Sequence, residues 1–319
     1  MTLRAAGEAA GIPVGAAVAV QPLRSEPWYG RTLAREFGLV TCENAMKFGP
    51  IHPTARTYDF RGAYAVVRFA ARNGMAVRGH TLVWHSQQPQ WIDRGRWTRA
   101  RLARALGAHI KKVAGRYRGR VAAWDVVNEA VGDDGKLRKT IWLRHLGPRY
   151  LDLAFRAAHA ADPAARLYYN DYGAEAVNRK SDAILRLAEG LLRRGVPLHG
   201  IGLQAHLTLA ALPNWRSVGR NLARLARLGL ACQFTEVDVR IPKPVTAAKL
   251  RAQADAYRRL VDAARAAGNC AGIVLWGFSD RWSWVPGFFR GDDAALVFDR
   301  RNRPKPAYRA LRAALARPR

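Results

Sequence analysis

Acidic residues are scarce in this chain. Only 24 Asp and Glu stand against 53 Lys and Arg, which leaves a net charge of +29. Cysteine is nearly absent. Cys42, Cys232 and Cys270 are an odd number without paired CxxC spacing, which excludes a zinc-ribbon framework. Cys232 and Cys270 open consecutive predicted strands, so a bridge between them is geometrically conceivable; free buried thiols are the expectation. No run of 18 or more apolar residues occurs, so no helix crossing a bilayer is expected. The apolar run from Ile12 to Val20 lacks the length and cleavage site of a secretory leader and fits a first strand. No Pro/Gly/Ser-rich linker or low-complexity stretch divides the chain. One domain over residues 1–319 is expected, and 49% apolar residues suffice for its core. A dinucleotide fingerprint after the first strand is missing as well.

The positive charge raises nucleic acid as a partner, but its distribution argues otherwise. Basic residues run along the whole chain, with one dense block at Arg94–Arg120. There Leu102, Leu106, Ile110, Val113 and Tyr117 recur at helical spacing, with arginines mostly between them. That is a solvated helix face. An arginine-rich surface is the first reading, an anionic polysaccharide partner the second, and nucleic acid the last.

Val121–Val127 is short, apolar and without alternation, as a strand buried on both faces should be. It runs into Asn128-Glu129 and then the loop signal Gly132-Asp133-Asp134-Gly135. Ala231–Glu236 repeats the pattern, with Glu236 near its end. Other strands are predicted at Pro13–Val18, Leu39–Glu43, Ala76–Val83, Arg166–Asn170, Ile201–His206 and Ala271–Trp276, with the one at Glu236 opening at Leu230. Helices alternate with them, among them Arg61–Asn73, Thr98–Tyr117, Pro148–Ala160, Val177–Arg194, Trp215–Leu228, Thr246–Ala267 and Pro306–Leu315. Eight such repeats predict a single α/β domain, a closed (β/α)8 TIM barrel, with an open doubly wound sheet as the alternative.

Polar and aromatic residues gather after these strands. Glu43, Asn44 and Lys47 follow the second; His80, Trp84, His85 and Gln87 the third; Asn128 and Glu129 the fourth. Asn170, Asp171 and Tyr172 follow the fifth, Gln204 and His206 end the sixth, and Glu236 and Asp238 the seventh. Trp276, Asp280, Trp282 and Trp284 follow the eighth. Barrels place active sites on this face. Two glutamates facing one cleft are the equipment for cutting a glycosidic bond. His206 and Asp238 are expected to hold Glu236 charged, leaving Glu129 to carry the proton. Trp124, inside the fourth strand, is assigned to the core or its edge rather than to substrate. His80, His85 and His206 lack HxxxH-type spacing, so no metal is expected.

The words Glu43-Asn44-Ala45-Met46-Lys47-Phe48, Arg78-Gly79-His80-Thr81-Leu82-Val83-Trp84-His85, Trp124-Asp125-Val126-Val127-Asn128-Glu129 and Gly202-Leu203-Gln204-Ala205-His206 stand in this order. Thr235-Glu236-Val237-Asp238, Trp276-Gly277-Phe278-Ser279-Asp280 and Pro304-Lys305-Pro306-Ala307-Tyr308 follow. Together they resemble glycoside hydrolase family 10, the retaining endo-β-1,4-xylanases, over nearly the whole chain. Phe48, where many relatives carry Trp, and the Trp282/Trp284 spacing depart from the family pattern. The resemblance implies Glu129 as acid/base and Glu236 as nucleophile. It further implies Asn128 on the sugar 2-hydroxyl, and Glu43, Asn44, Lys47, His80 and Gln87 on other hydroxyls. Asn170, Tyr172 and Gln204 are counted with the substrate contacts, and Trp84, Trp276 and Trp284 with the walls. The implied partner is xylan and its oligosaccharides, cut by a monomer without cofactor, metal, nucleic acid or membrane. Rivals are a retaining β-1,4-glucanase or cellobiosidase, and a non-catalytic polysaccharide-binding barrel. The implied compartment is extracellular or periplasmic, after loss of a leader, with the cytoplasm as the alternative.

Overall fold

The computed structural model describes residues 1–318, so only residue 319 of the expected domain lies outside it. Eight parallel strands close on themselves: β1 (Val14–Val18), β2 (Leu39–Cys42), β3 (Ala76–Val83), β4 (Ala123–Asn128), β5 (Arg166–Asp171), β6 (Gly200–Leu203), β8 (Ala231–Pro242) and β9 (Cys270–Leu275). They pair in that order, and β9 returns to β1 through Val14 and Ile273. A short β7 (His206–Thr208) runs beside the outer half of β8, and β10 (Asp292–Asp293) pairs antiparallel with its end. The expected (β/α)8 barrel is therefore the fold. Its strands are buried almost throughout because helices cover the outer face and side chains fill the inner one. Trp124 is fully buried on the outer face, since Asp125 beside it in β4 points into the barrel. Gly79 on the next strand is required beside it, since a Cβ there would overlap the indole.

Helix boundaries follow local signals. Thr98 caps Arg99–Arg116 by accepting from the Arg101 N–H, and Asn178 with Ser181 forms a capping box on Arg179–Arg193. Leu102, Leu106, Ile110 and Val113 are buried on the first of these, and its arginines face outward. Three expectations need correction. The helix expected from Pro148 begins at Tyr150, because the preceding residues form a turn. The strand expected over Ile201–His206 stops at Leu203; Ala205 has a φ of 59°, which breaks the ladder before β7 starts. The strand expected to end at Glu236 runs on to Pro242, because β7 and β10 pair with its extension. Glu236 is thus within a strand, not at its tip. Among the described residues no helix is long and apolar enough to cross a membrane.

Between β3 and the helix Arg99–Arg116 lies a buried pair of imidazoles. His52 Nδ1 and His109 Nδ1 are 3.1 Å apart, so one must donate and the other accept. Phe48 stacks on His109 at 3.5 Å and Tyr58 on His52 at 3.8 Å. Burial pushes His52 down to about 4 and His109 well below its usual value, with His52 adding repulsion. A depressed histidine pKa means that the unfolded chain takes up protons first. The stability these groups contribute is present above pH 6.5 and is lost as pH falls from there toward 4. Replacing both by leucine removes donor and acceptor together, which costs little at neutral pH. Thermal unfolding at pH 7 and pH 4.5 should then show a smaller acid-induced drop in His52→Leu/His109→Leu than in the wild type. The expected gap is on the order of 5 °C; equal drops would remove the pair from the account of acid stability.

Candidate active site

Glu129 follows β4 with a φ of 54°, a strained setting for a non-glycine residue. Its N–H donates to the Asn170 carbonyl at 2.8 Å, and its carbonyl accepts from Arg138 Nε at 2.9 Å. These two contacts hold the strained turn and aim the carboxyl across the strand ends. There Oε2 accepts from Trp84 Nε1 at 2.9 Å, and Oε1 from Gln204 Nε2 at 2.9 Å. His85 Nδ1 stands 3.9 Å from Oε2.

Glu236 projects from β8 into the same space. Its Oε1 accepts from Asn170 Nδ2 at 2.7 Å, and its Oε2 faces His206 Nε2 at 3.3 Å. A carboxylate can only accept, so Asn170 must turn its NH2 group toward Glu236. The second hydrogen of that amide goes to Asn128 Oδ1 at 2.8 Å, which fixes the Asn128 amide as well. Asn170 Oδ1 in turn accepts from Thr235 Oγ1 at 2.6 Å. The third member of this packing is a glycine, because a Cβ at Gly202 would overlap Asn170 Oδ1. Asn128 and Asn170 thus link the two carboxylates: Asn128 adjoins Glu129 in the chain, and Asn170 bonds Glu236.

The two acids are treated differently by their surroundings. Burial raises Glu236, but the nearby His80 and His206 rings outweigh it and hold the carboxyl below its usual value. His80 Nδ1 is 3.9 Å from Glu236 and 3.0 Å from Asp125 beneath it. Burial alone would lower His206, yet Asp238 and Glu236 push it up to about 10. Its Nδ1 donates to Asp238 Oδ2 at 2.9 Å, and Trp284 Nε1 donates to the same oxygen at 2.8 Å. The expected row Asp238, His206, Glu236 is present.

Lys47 is buried and sits 5.0 Å from the Trp84 ring and 5.7 Å from the Trp276 ring. Its ammonium donates to Asn44 Oδ1 at 2.9 Å. Burial lowers its pKa, against support from Glu236, Glu43 and Glu129, and burial raises Glu43. Trp276 closes the floor edge-on to His80, with ring centroids 5.1 Å apart. On the far side, Tyr172 accepts from Arg138 at 2.6 Å and donates to Asp133 at 3.2 Å, under the Lys180 ammonium. A cleft of about 540 Å³ opens beside the carboxylates, lined by Glu43, Asn44, Gln21, Trp282 and Trp284 among others.

Of the expected residues, Glu129, Glu236, Asn128, His206, Asp238, Lys47, His80, Trp84, Asn170, Gln204, Trp276 and Trp284 converge on one space. Glu43 and Asn44 line the adjoining cleft, and Tyr172 its opposite shoulder. Gln87 is exposed, with a φ of 48°, and its carbonyl accepts at 2.9 Å from Gly49, two residues past Lys47. Its place in the loop is set by that backbone contact. Arg138, Thr235 and Asp125 were not singled out from the sequence. Arg138 is one arginine among many, and Thr235 and Asp125 sit in words whose glutamates drew attention first.

A sequence profile described as glycosyl hydrolase family 10 matches residues 2–314. Endo-1,4-β-xylanase B of Thermotoga neapolitana is 43% identical over 285 residues, 89% of this chain and 82% of that protein. Endo-1,4-β-xylanase A of Fusarium oxysporum f. sp. lycopersici is 41% identical over 86% of each chain. The solved structure of native xylanase 10B from Thermotoga maritima superposes with a TM-score of 0.96 at 43% identity, covering 99% of this chain and 98% of that one. Xylanase 10B from Thermotoga petrophila RKU-1, in complex with xylobiose, gives 0.95 at 43% identity, covering 99% of this chain and 97% of that one. With the profile spanning nearly every residue and the relatives agreeing on one architecture, the chain belongs to glycosyl hydrolase family 10.

Proposed function

We propose that this single domain is an endo-1,4-β-xylanase that cuts internal bonds of xylan with retention, Glu236 acting as nucleophile and Glu129 as acid/base. The observation that carries the assignment is the unequal company of the two carboxylates. Glu236 has Asn170 and the raised His206 at its oxygens, which favours an anion. Glu129 has the neutral donors Trp84 and Gln204. Retention requires carboxyl groups roughly 5–5.5 Å apart; the bridging Asn128–Asn170 pair supports so short a span.

The reaction follows from that division. Glu236 attacks the anomeric carbon while Glu129 gives its proton to the departing glycosidic oxygen, leaving a glycosyl ester on Glu236. Glu129, now ionised, takes a proton from water, whose oxygen displaces Glu236 and restores both groups. Asn128 contacts the sugar 2-hydroxyl where charge develops. Lys47, His80, Glu43 and Asn44 hold hydroxyls on one side of the scissile bond, Tyr172 serves the other, and Trp84, Trp276 and Trp284 pack against pyranose faces. The surplus of basic charge draws the enzyme to glucuronate-bearing xylan.

Reducing-sugar release from neutral linear xylan, glucuronate-bearing xylan and carboxymethylcellulose, each at low and high salt, tests this reading. Activity should favour the two xylans, and salt should depress the rate on the acidic one selectively, since screening shortens the reach of the basic surface. Activity confined to the cellulose derivative would overturn the substrate. An equal salt response on both xylans would overturn the role given to the charge.

A further inference from the structure

The barrel carries a second pair of reactive groups at the end opposite the carboxylates. Cys232 is the second residue of β8 and Cys270 the first of β9, and the two are register partners across that parallel seam. Register partners on neighbouring strands point to the same side, and neighbouring strands lie about 4.8 Å apart. That separation falls inside the roughly 4.4–6.8 Å between Cα atoms that a disulfide spans. Both thiols are free and buried; Cys232 Sγ faces Asn269 Oδ1, and Cys270 Sγ donates to the Gly272 carbonyl at 3.5 Å. The register slips immediately after Cys232, and Gly272 takes a φ of 148° there. An irregular ladder gives the backbone room to adjust.

The pair is also asymmetric. Cys232 is fully covered and faces Asn269 Oδ1 at 3.6 Å. Cys270 lines a cavity of about 520 Å³ between the end of the first helix, the helix Ala247–Ala267 and residues 317–318, with Asp262, Arg265 and Arg317 among its walls. Arg265 is fixed there by the Leu315 carbonyl at 2.9 Å, and Arg317 by Asp262 at 3.0 Å. The Cys232 thiol beside it lowers the Cys270 pKa, and Cys232 itself is pushed up by Cys270 and by burial. Cys270, on the cavity wall, is therefore the sulfur that an incoming reagent meets first, and Cys232 behind it is the thiol that follows.

We propose that Cys232 and Cys270 form a dithiol that a small-molecule disulfide oxidises to an inter-strand bridge, locking the β8–β9 seam. The Cys270 thiolate attacks one sulfur of the reagent, whose S–S bond breaks and releases one thiolate that takes up a proton. The mixed disulfide on Cys270 is then attacked by Cys232 sulfur, which gives up its proton and expels the second thiol. Two protein thiols are oxidised and one external disulfide is reduced to two thiols. The bridge closes the chain from residue 232 to residue 270, a loop long enough for the constraint to stabilise the fold.

The intact wild-type protein, incubated with oxidised glutathione under native conditions, provides the test. Mass spectrometry after denaturing alkylation should show loss of two hydrogens and a single alkylated cysteine, Cys42, in place of three. The thermal midpoint should rise on the order of 5 °C and return after reduction. Cys232→Ser should stop at one stable glutathione adduct on Cys270. Three alkylated cysteines after prolonged oxidation, a bridge that includes Cys42, or a lasting adduct in the wild type would each overturn the proposal. None of these readouts depends on activity, so the result stands apart from the function proposed above.

Discussion

Glu236→Ala is expected to lower kcat on xylan by at least about 10⁴-fold, since no other group in the site can form the glycosyl ester. KM should change far less, because Lys47, His80 and the tryptophans remain to bind the sugar. The vacated volume lies against His206, which Asp238 still holds on its other nitrogen at 2.9 Å. Asp238, the larger of its two supports, still raises the pKa of that ring, so the cavity remains attractive to a small anion. Azide should therefore restore turnover of an activated aryl xylobioside and give the α-xylosyl azide, the inverted product. Glu129→Ala should behave differently. An activated leaving group needs no proton, so the ester on Glu236 forms, and azide then gives the β-linked product. NMR of the anomeric proton distinguishes the two. A β-azide from Glu236→Ala, or xylan turnover near the wild-type rate, would reverse or remove the roles assigned to the pair.

The raised His206 has a consequence for stability with a fixed sign. A histidine whose folded pKa lies above its unfolded 6.5 contributes stability that is fully present below 6.5 and is lost as pH rises toward 10. The acid site thus weakens its own frame at high pH, whereas the His52–His109 pair weakens the fold at low pH. The maximum falls between them.

The barrel was legible because each strand is a short apolar run followed by a loop signal, and alternation with amphipathic helices leaves few other folds. The site was legible because polar and aromatic residues at strand ends have no structural reason to recur there. What stayed hidden depends on pairing across the chain. Val237-Asp238-Val239-Arg240-Ile241 does alternate as a strand does, but ending the strand at Glu236 left that alternation unused; β7 and β10 supply its partners. Arg138 acts through the Glu129 carbonyl, a contact that no spacing encodes.

Arg78 is the other residue whose importance comes from depth. It lies inside the barrel at 1% exposure, paired with Asp125, which is equally buried, and with the Gln233 amide oxygen. Its guanidinium lies 4.4 Å from the Tyr168 ring centre, and Asp125 also holds His80 beneath Glu236. Burial raises Asp125, but Arg78 and His80 together bring its pKa below the usual value. Arg78→Met removes the cation and leaves the carboxylate without its main partner. A broken buried pair costs about 3–5 kcal/mol, so the thermal midpoint at pH 7 should drop by roughly 6 °C. The sign of the pH dependence identifies the cause. In the wild type the lowered Asp125 pKa contributes stability above the unfolded value near 3.8, lost as pH falls. In the variant desolvation is left to dominate, the pKa rises, and protonation becomes stabilising as pH falls through it. The gap between wild type and Arg78→Met should therefore narrow from pH 7 to pH 4.5, and Arg78→Met/Asp125→Asn should recover part of the loss at pH 7. A gap that stays constant with pH, and a double variant no better than the single, would mean that lost packing against Tyr168 sets the cost and the ion pair does not.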